Sequence, residues 1–216
     1  MDRIARLLSR SDRSSRILEI GPSYNPVAPK SAGWNTHVVD HLPRDKLRQK
    51  YAGANVDVGW IEDVDTLWQD GSLHDNVAAD LHGSFDTLIA SHFIEHTPDL
   101  IGFLKSAGKL LRPDGVIALA IPDRRFCFDY FRSATLTGDL LEAHARRTAW
   151  NHMAYSATMD GALGWSPAPT ARPRLMDPFA AAAGINAAFS DAAPYADYHA
   201  WQFSPAGFAL AMLELG

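Results

Sequence analysis

Cysteine is almost absent. Cys127 is the one cysteine in 216 residues, so no disulfide can form within the chain. A reducing, cytoplasmic setting is the simple reading. Long apolar runs are missing as well. None approaches the roughly 20 residues that a spanning helix needs, so no membrane partner is expected. Positive charge is not in excess: 20 Lys and Arg face 25 Asp and Glu, a formal net charge of -5. That argues against a partner held by bulk basic electrostatics, and no nucleic acid is expected. The full G-x-G-x-x-G fingerprint is lacking, which disfavours NAD binding. A phosphate loop for a nucleotide-sugar enzyme is lacking too, and no internal repeat is found.

What is present is ordinary soluble-protein stock: 47% hydrophobic and 21% charged residues. The length suits one domain, and a single domain over residues 1–216 is expected. Arginines at 3, 6, 10, 13 and 16 mark the N-terminus. A transit peptide has that flavour. Ile4, Leu7 and Leu8 at 3,4 spacing favour a short amphipathic helix instead.

Short, continuously apolar runs follow, each closed by turn residues. They predict strands at 17–20, 36–40, 85–90 and 116–121, with a weaker one at 54–58. Helical spacing marks 42–52, 98–111, 126–147 and 198–215, the last capped by Ser204-Pro205. Arg112-Pro113-Asp114-Gly115 has turn chemistry. Strands that do not alternate in polarity, separated by helices, predict a doubly wound, mostly parallel α/β sheet. After Asp123 the pattern breaks. Residues 124–200 read as a helical or loop insertion, a candidate lid or acceptor-binding segment, with 179–189 as an alternative piece of core.

In such a sheet the ligand crevice lies at the carboxyl ends of the strands. Residues 21–25, Asp40 with His41, Ser91 with His92, and Pro122 with Asp123 fall there. Gly21 ends the first strand and lets the backbone approach a ligand closely. Asp40 stands 19 residues further on, a spacing at which an acid meets ribose hydroxyls. The other reading of Asp40 is a cap or solvated turn residue. His92-x-x-x-His96 has metal-pair spacing, but no third ligand is evident, and no metal is expected.

These residues carry a resemblance. LEIGPSYNP, VVD, FDTLIASHFIEHTPD and LLRPDGVIALAIPD resemble successive blocks of the class I methyltransferases that use S-adenosyl-L-methionine (SAM), of the methyltransferase type 11 group. The match covers residues 17–123. It implies a Rossmann-like sheet and SAM as cofactor. Glu19, Gly21, Pro22 and Ser23 would border its methionyl part. Asp40 would bind the ribose hydroxyls and His41 would lie next to the adenine. Asp65, with Asp63 an equal contender, would reach the adenine amino group, and Leu67 or Trp68 would pack on the ring. Ser91 and His92 would line the cofactor near sulfur and His96 would support the loop. The second glycine of the family's loop is replaced by Pro22-Ser23-Tyr24. The family's last two strands, antiparallel and following the final helix, are not in the sequence, which suggests a fragment of a longer, glycan-modifying polypeptide.

The implied reaction is methyl transfer to a small-molecule or glycan acceptor. Where the acceptor needs a base, His92, Asp123 and His152 are the candidates, in that order. Arg124 and Arg125 would meet an anionic acceptor, or form a solvated pair. Trp150, Trp165 and Trp201 would line an acceptor pocket, or pack in the core. The alternative is a catalytically silent domain of this fold that binds or scaffolds.

Overall fold

The computed structural model describes residues 2–127, 129–130, 132–146, 163–164, 174–175 and 199–216. Most of the 124–200 insertion, including His152, Trp150, Trp165 and the 179–189 stretch, lies outside the described residues. The chain divides into two compact units. The first is Met1–Phe93 with Gly102–Ala120, and the second is Ile94–Ile101 with Ile121–Gly216.

The first unit is built on five strands: β1 (Arg16–Ile20), β2 (Asn35–Asp40), β3 (Thr66–Leu67), β4 (Phe85–Ser91) and β5 (Leu111–Ala120). They pair in the order β3-β2-β1-β4-β5, and every pairing is parallel. Ile17, Leu18, Ile20, Leu88, Ile89 and Ala90 are buried on these central strands. That is why their sequence runs apolar without alternation: a central parallel strand is covered on both faces. Each of the Ile and Leu side chains contributes about 1.5–3 kcal/mol by leaving water. Helices α1 (Arg3–Leu7), α2 (Arg44–Tyr51), α3 (Leu73–Asn76) and α4 (Leu100–Leu110) occur between or before the strands. Leu7 of α1 packs with Ile17, Val27, Ala28 and Ile89, so the arginine-spaced N-terminus is a helix docked by its apolar face.

Two local expectations are corrected. The third strand is Thr66–Leu67 and not 54–58, which holds turns leading into a 3-10 turn at Val58–Trp60. Strand β5 begins at Leu111, so the Arg112–Gly115 turn lies inside it. The ladder pairs Phe85 with Leu111 and then Thr87 with Val116, so the turn chemistry appears as a bulge. A Cβ on Gly115 would stand 2.9 Å from the Leu111 Cβ and 3.0 Å from the Arg112 carbonyl oxygen. Only glycine closes that bulge without displacement.

The second unit contains α5 (Thr137–Arg146) and α6 (Pro205–Leu215), with a two-stranded antiparallel ribbon at Leu163–Gly164 and Arg174–Leu175. Helix α6 starts where the sequence places its cap: the Ser204 hydroxyl accepts from the Gly207 amide at 3.2 Å. Residues 199–203 are not helical. They run beside the 94–97 segment, with the Ala200 and Trp201 amides donating to the Glu95 carbonyl. Residues 124–126 form a 3-10 turn, so the helix expected from 126 begins at Thr137. Among the described residues, no helix is long and apolar enough to cross a membrane.

Candidate functional site

Strand order reverses between β1 and β4, so the chain leaves their carboxyl ends in opposite directions. That divergence is where an open α/β sheet holds its ligand. Two residues there adopt left-handed backbone without being glycine: Ser23 at φ +46° and His92 at φ +53°. Such conformations cost energy and concentrate at functional positions.

Asp40 ends β2 and is buried. Its Oδ1 accepts from the His41 amide at 2.8 Å and the His41 Nδ1 at 2.6 Å. Its Oδ2 accepts from the Ser23 amide at 3.2 Å and the Ser23 hydroxyl at 3.4 Å. Lys50 Nζ lies 3.0 Å from His41 Nε2. An ammonium only donates and a carboxylate only accepts, so His41 is the neutral Nδ1–H tautomer. Its ring therefore clamps Asp40 and Lys50.

Glu19 lies within β1, buried, and accepts from the Val27 amide at 2.6 Å and the Ala28 amide at 3.1 Å. Burial outweighs those two bonds and pushes its carboxyl up to about 7. It braces the far end of the β1 loop. Gly21 has φ +60°, and a Cβ there would meet the Phe93 ring at 3.1 Å. The close approach that this glycine permits is thus made by Phe93. Pro22 follows at the bend, its carbonyl accepting from the Asn25 amide at 2.9 Å. Phe93 also packs with Trp68 and Phe103, ring centroids 5.8 and 5.6 Å away. The Ser91 hydroxyl accepts from Arg3 at 3.3 Å. The His92 amide donates to Ala120, and the residue is exposed.

Asp65 precedes β3, and its Oδ2 accepts from the Val38 amide at 2.7 Å and from Lys30 Nζ at 2.5 Å. It braces the β2 edge on the amino side of β3. Asp63 pairs with Arg44 at 3.2 Å. Trp68, Gln69 and Asp70 occupy the position after β3.

In the second unit Asp123 caps the 3-10 turn through the Arg125 amide and holds the Arg125 guanidinium by two oxygens. The bonds from Arg125 hold its carboxyl below the usual range. That makes it a weak base, and capping is the role its geometry gives. Arg124 donates to the Tyr130 and Arg132 carbonyls, while Arg125 is exposed and paired with Asp123. His144 pairs with Asp99 at 3.0 Å. Trp201 is buried and donates to the Thr97 carbonyl at 2.6 Å, which is the core reading. His96 lies in the 3-10 turn Ile94–His96, edge-on to His199 with centroids 4.8 Å apart. The cluster of Glu95, His96, Asp129 and His199 was also missed, since 103 residues separate His96 from His199.

A family model described as a methyltransferase domain matches residues 1–172. The chain belongs to that family. No curated protein matches the chain. Among solved structures it is similar to the trans-methyltransferase CalH in complex with SAH, at 22% identity over 52% of this chain and 34% of that one, TM-score 0.36. It is similar to a TehB-like SAM-dependent methyltransferase from Corynebacterium glutamicum, at 18% identity over 68% and 72%, TM-score 0.39. A third is a protein assigned as a Zn-dependent alcohol dehydrogenase from Rhodobacter sphaeroides, at 14% identity over 98% and 76%, TM-score 0.48. Likeness at these levels adds nothing to the family match. The chain spans about a third of the length of CalH.

The first unit's residues fit the adenosyl group. Asp40 is a buried acceptor at the carboxyl end of the second strand. All its lone-pair directions are occupied, but the two bonds from Ser23 are long.

Proposed function

We propose that this domain transfers the methyl group of SAM to an oxygen or nitrogen of a small-molecule or glycan acceptor. The observation that supports it most is the Asp40–Ser23 pairing beside the switch point, in a chain of the methyltransferase domain family. In this reading Asp40 Oδ2 accepts the ribose hydroxyls. Gly21, Pro22 and Ser23 border the methionyl end, with Glu19 fixing their loop from behind. Ser91 lines the same side, His41 holds Asp40 in place, and His96 supports the segment after β4. Bound SAM supplies a methyl group on a sulfonium, whose departure as a neutral thioether needs no acid.

What remains for the protein is alignment, which can contribute several kcal/mol. A base is needed only for a hydroxyl or protonated amine. His92 is our choice: it follows β4 at the carboxyl end of the sheet, and its backbone is held in a strained conformation. Asp123 ranks below it because Arg125 occupies its carboxylate. We place the protein in the cytoplasm on its single cysteine, whose thiol burial pushes up to about 12. In that state it is a poor nucleophile.

Calorimetric titration with SAM and S-adenosylhomocysteine tests the cofactor, with micromolar binding expected. Folded protein that binds neither refutes the proposal. One observation favours a second reading, a silent binding module: the Phe93 ring lies over Gly21. Cofactor binding without turnover on any hydroxyl, amine or carboxylate acceptor, assayed with labelled SAM, would favour it.

A further inference from the structure

The second unit holds a group of acid and imidazole side chains to which the proposed methyl transfer gives no chemical step. Glu95, Asp129 and His199 are at most 8% exposed. Donor atoms of Glu95, His96 and His199 all lie within 4.8 Å of one another. Asp129 fixes the direction of His199: its Oδ2 stands 2.6 Å from His199 Nδ1, while its Oδ1 accepts from Arg132 at 2.9 Å. A carboxylate on Nδ1 makes that nitrogen the N–H, so in the neutral ring Nε2 is the nitrogen that carries the lone pair. That Nε2 faces Glu95 Oε1 across 4.0 Å. The gap is too long for a hydrogen bond. It suits two ligands of one ion at bond lengths of about 2.0–2.2 Å each, after slight contraction.

We propose that Glu95, His96 and His199 form a binding site for a divalent first-row transition ion, best matched by zinc. Two imidazoles and a carboxylate are a zinc donor set, and three protein ligands leave one position for water or another oxygen. Asp129 is the outer partner that orients a ligating histidine and raises its basicity. Arg132 fixes Asp129 in turn and also donates to the His199 carbonyl at 3.0 Å. The second group around His199, with Cys127 and Asp129, is a poorer choice, because it would need the Nδ1 that Asp129 already holds. The ion would tie the 94–96 turn to the segment beginning at His199, fastening this unit across a long stretch of sequence. Because a preformed site binds only the folded chain, its affinity would add to stability.

The test uses the untagged full chain, stripped with a chelator and titrated with zinc by calorimetry. One equivalent at micromolar affinity or tighter is expected, with a rise in melting temperature. Cobalt loaded in its place should show the visible ligand-field bands of a low-coordinate N/O site. Glu95→Gln and His199→Ala should each weaken zinc binding at least 100-fold. Asp129→Asn should weaken it about 10–100-fold. His82→Ala, outside the cluster, should leave it unchanged. Absence of saturable zinc binding, or zinc binding indifferent to Glu95→Gln and His199→Ala, overturns the proposal. If those variants do not fold, the cobalt spectrum of the unaltered chain decides, and a hexaaqua-like spectrum counts against the site.

Discussion

Ser23 holds Asp40 across the mouth of the sheet: its amide reaches Oδ2 at 3.2 Å while its own backbone sits at φ +46°. The β1 loop is therefore bent to present donors to the acid that ends β2. Removing the acid should be felt by any adenosyl ligand. Hydrogen bonds to a charged group contribute about 1.5–3 kcal/mol each. Asp40→Ala should therefore weaken SAM binding about 10–100-fold. Calorimetry on folded variant and unaltered protein checks this. Equal affinities would remove Asp40 from the site.

Much of this arrangement could be read from the sequence. Continuous apolar runs at β1, β2 and β4 announce buried parallel strands, and the residues just after them define the crevice. The Ser204-Pro205 cap was legible because capping is local. The strand at 66–67 was not, being too short to carry a period. Nor was the partner of Glu19, since no spacing rule links a strand acid to amides eight and nine residues on. His199 is harder still: its partners Asp129 and Glu95 are 70 and 104 residues away. Such pairings exist only once the chain has folded.

Ser23 also separates strain from contact. A non-glycine residue in the left-handed region costs roughly 1–2 kcal/mol, whereas glycine adds about 0.5–1 kcal/mol of backbone entropy. Ser23→Gly should thus leave the melting temperature within a few degrees of the unaltered protein. It would lose only the long hydroxyl contact to Asp40 at 3.4 Å. Ser23→Val should destabilise by about 1–3 kcal/mol, because a β-branched residue tolerates this conformation badly. Urea unfolding of both variants distinguishes the cases; similar losses would mean that strain does not dominate there.

The bulge in β5 makes a sharper demand. Any side chain at 115 meets the Leu111 Cβ and the Arg112 carbonyl at about 3 Å. Neither is the far end of a flexible chain. Gly115→Ala should destabilise by about 1–3 kcal/mol through displacement of the ladder between β4 and β5. Gly108→Ala, where a Cβ meets nothing within 4 Å, should be neutral or slightly stabilising, being in a helix. Melting temperatures of the two variants test the contrast.

Glu19 predicts a pH dependence. Desolvation raises its carboxyl from 4.5 to about 7 in the folded protein. The folded state therefore holds a proton there that the unfolded chain has released between those values, so stability falls as pH rises. The contribution is fully present below about 4.5 and is lost as pH rises through about 7, amounting to no more than about 3 kcal/mol. Glu19→Gln removes the titration but sets an NH2 against one of the Val27 and Ala28 amides. It should lower stability by about 1–3 kcal/mol at low pH, while flattening the slope between pH 5 and 7. Urea midpoints of both proteins across that range measure the difference. Parallel slopes would mean that Glu19 is ionised throughout, held so by the two amides it accepts from.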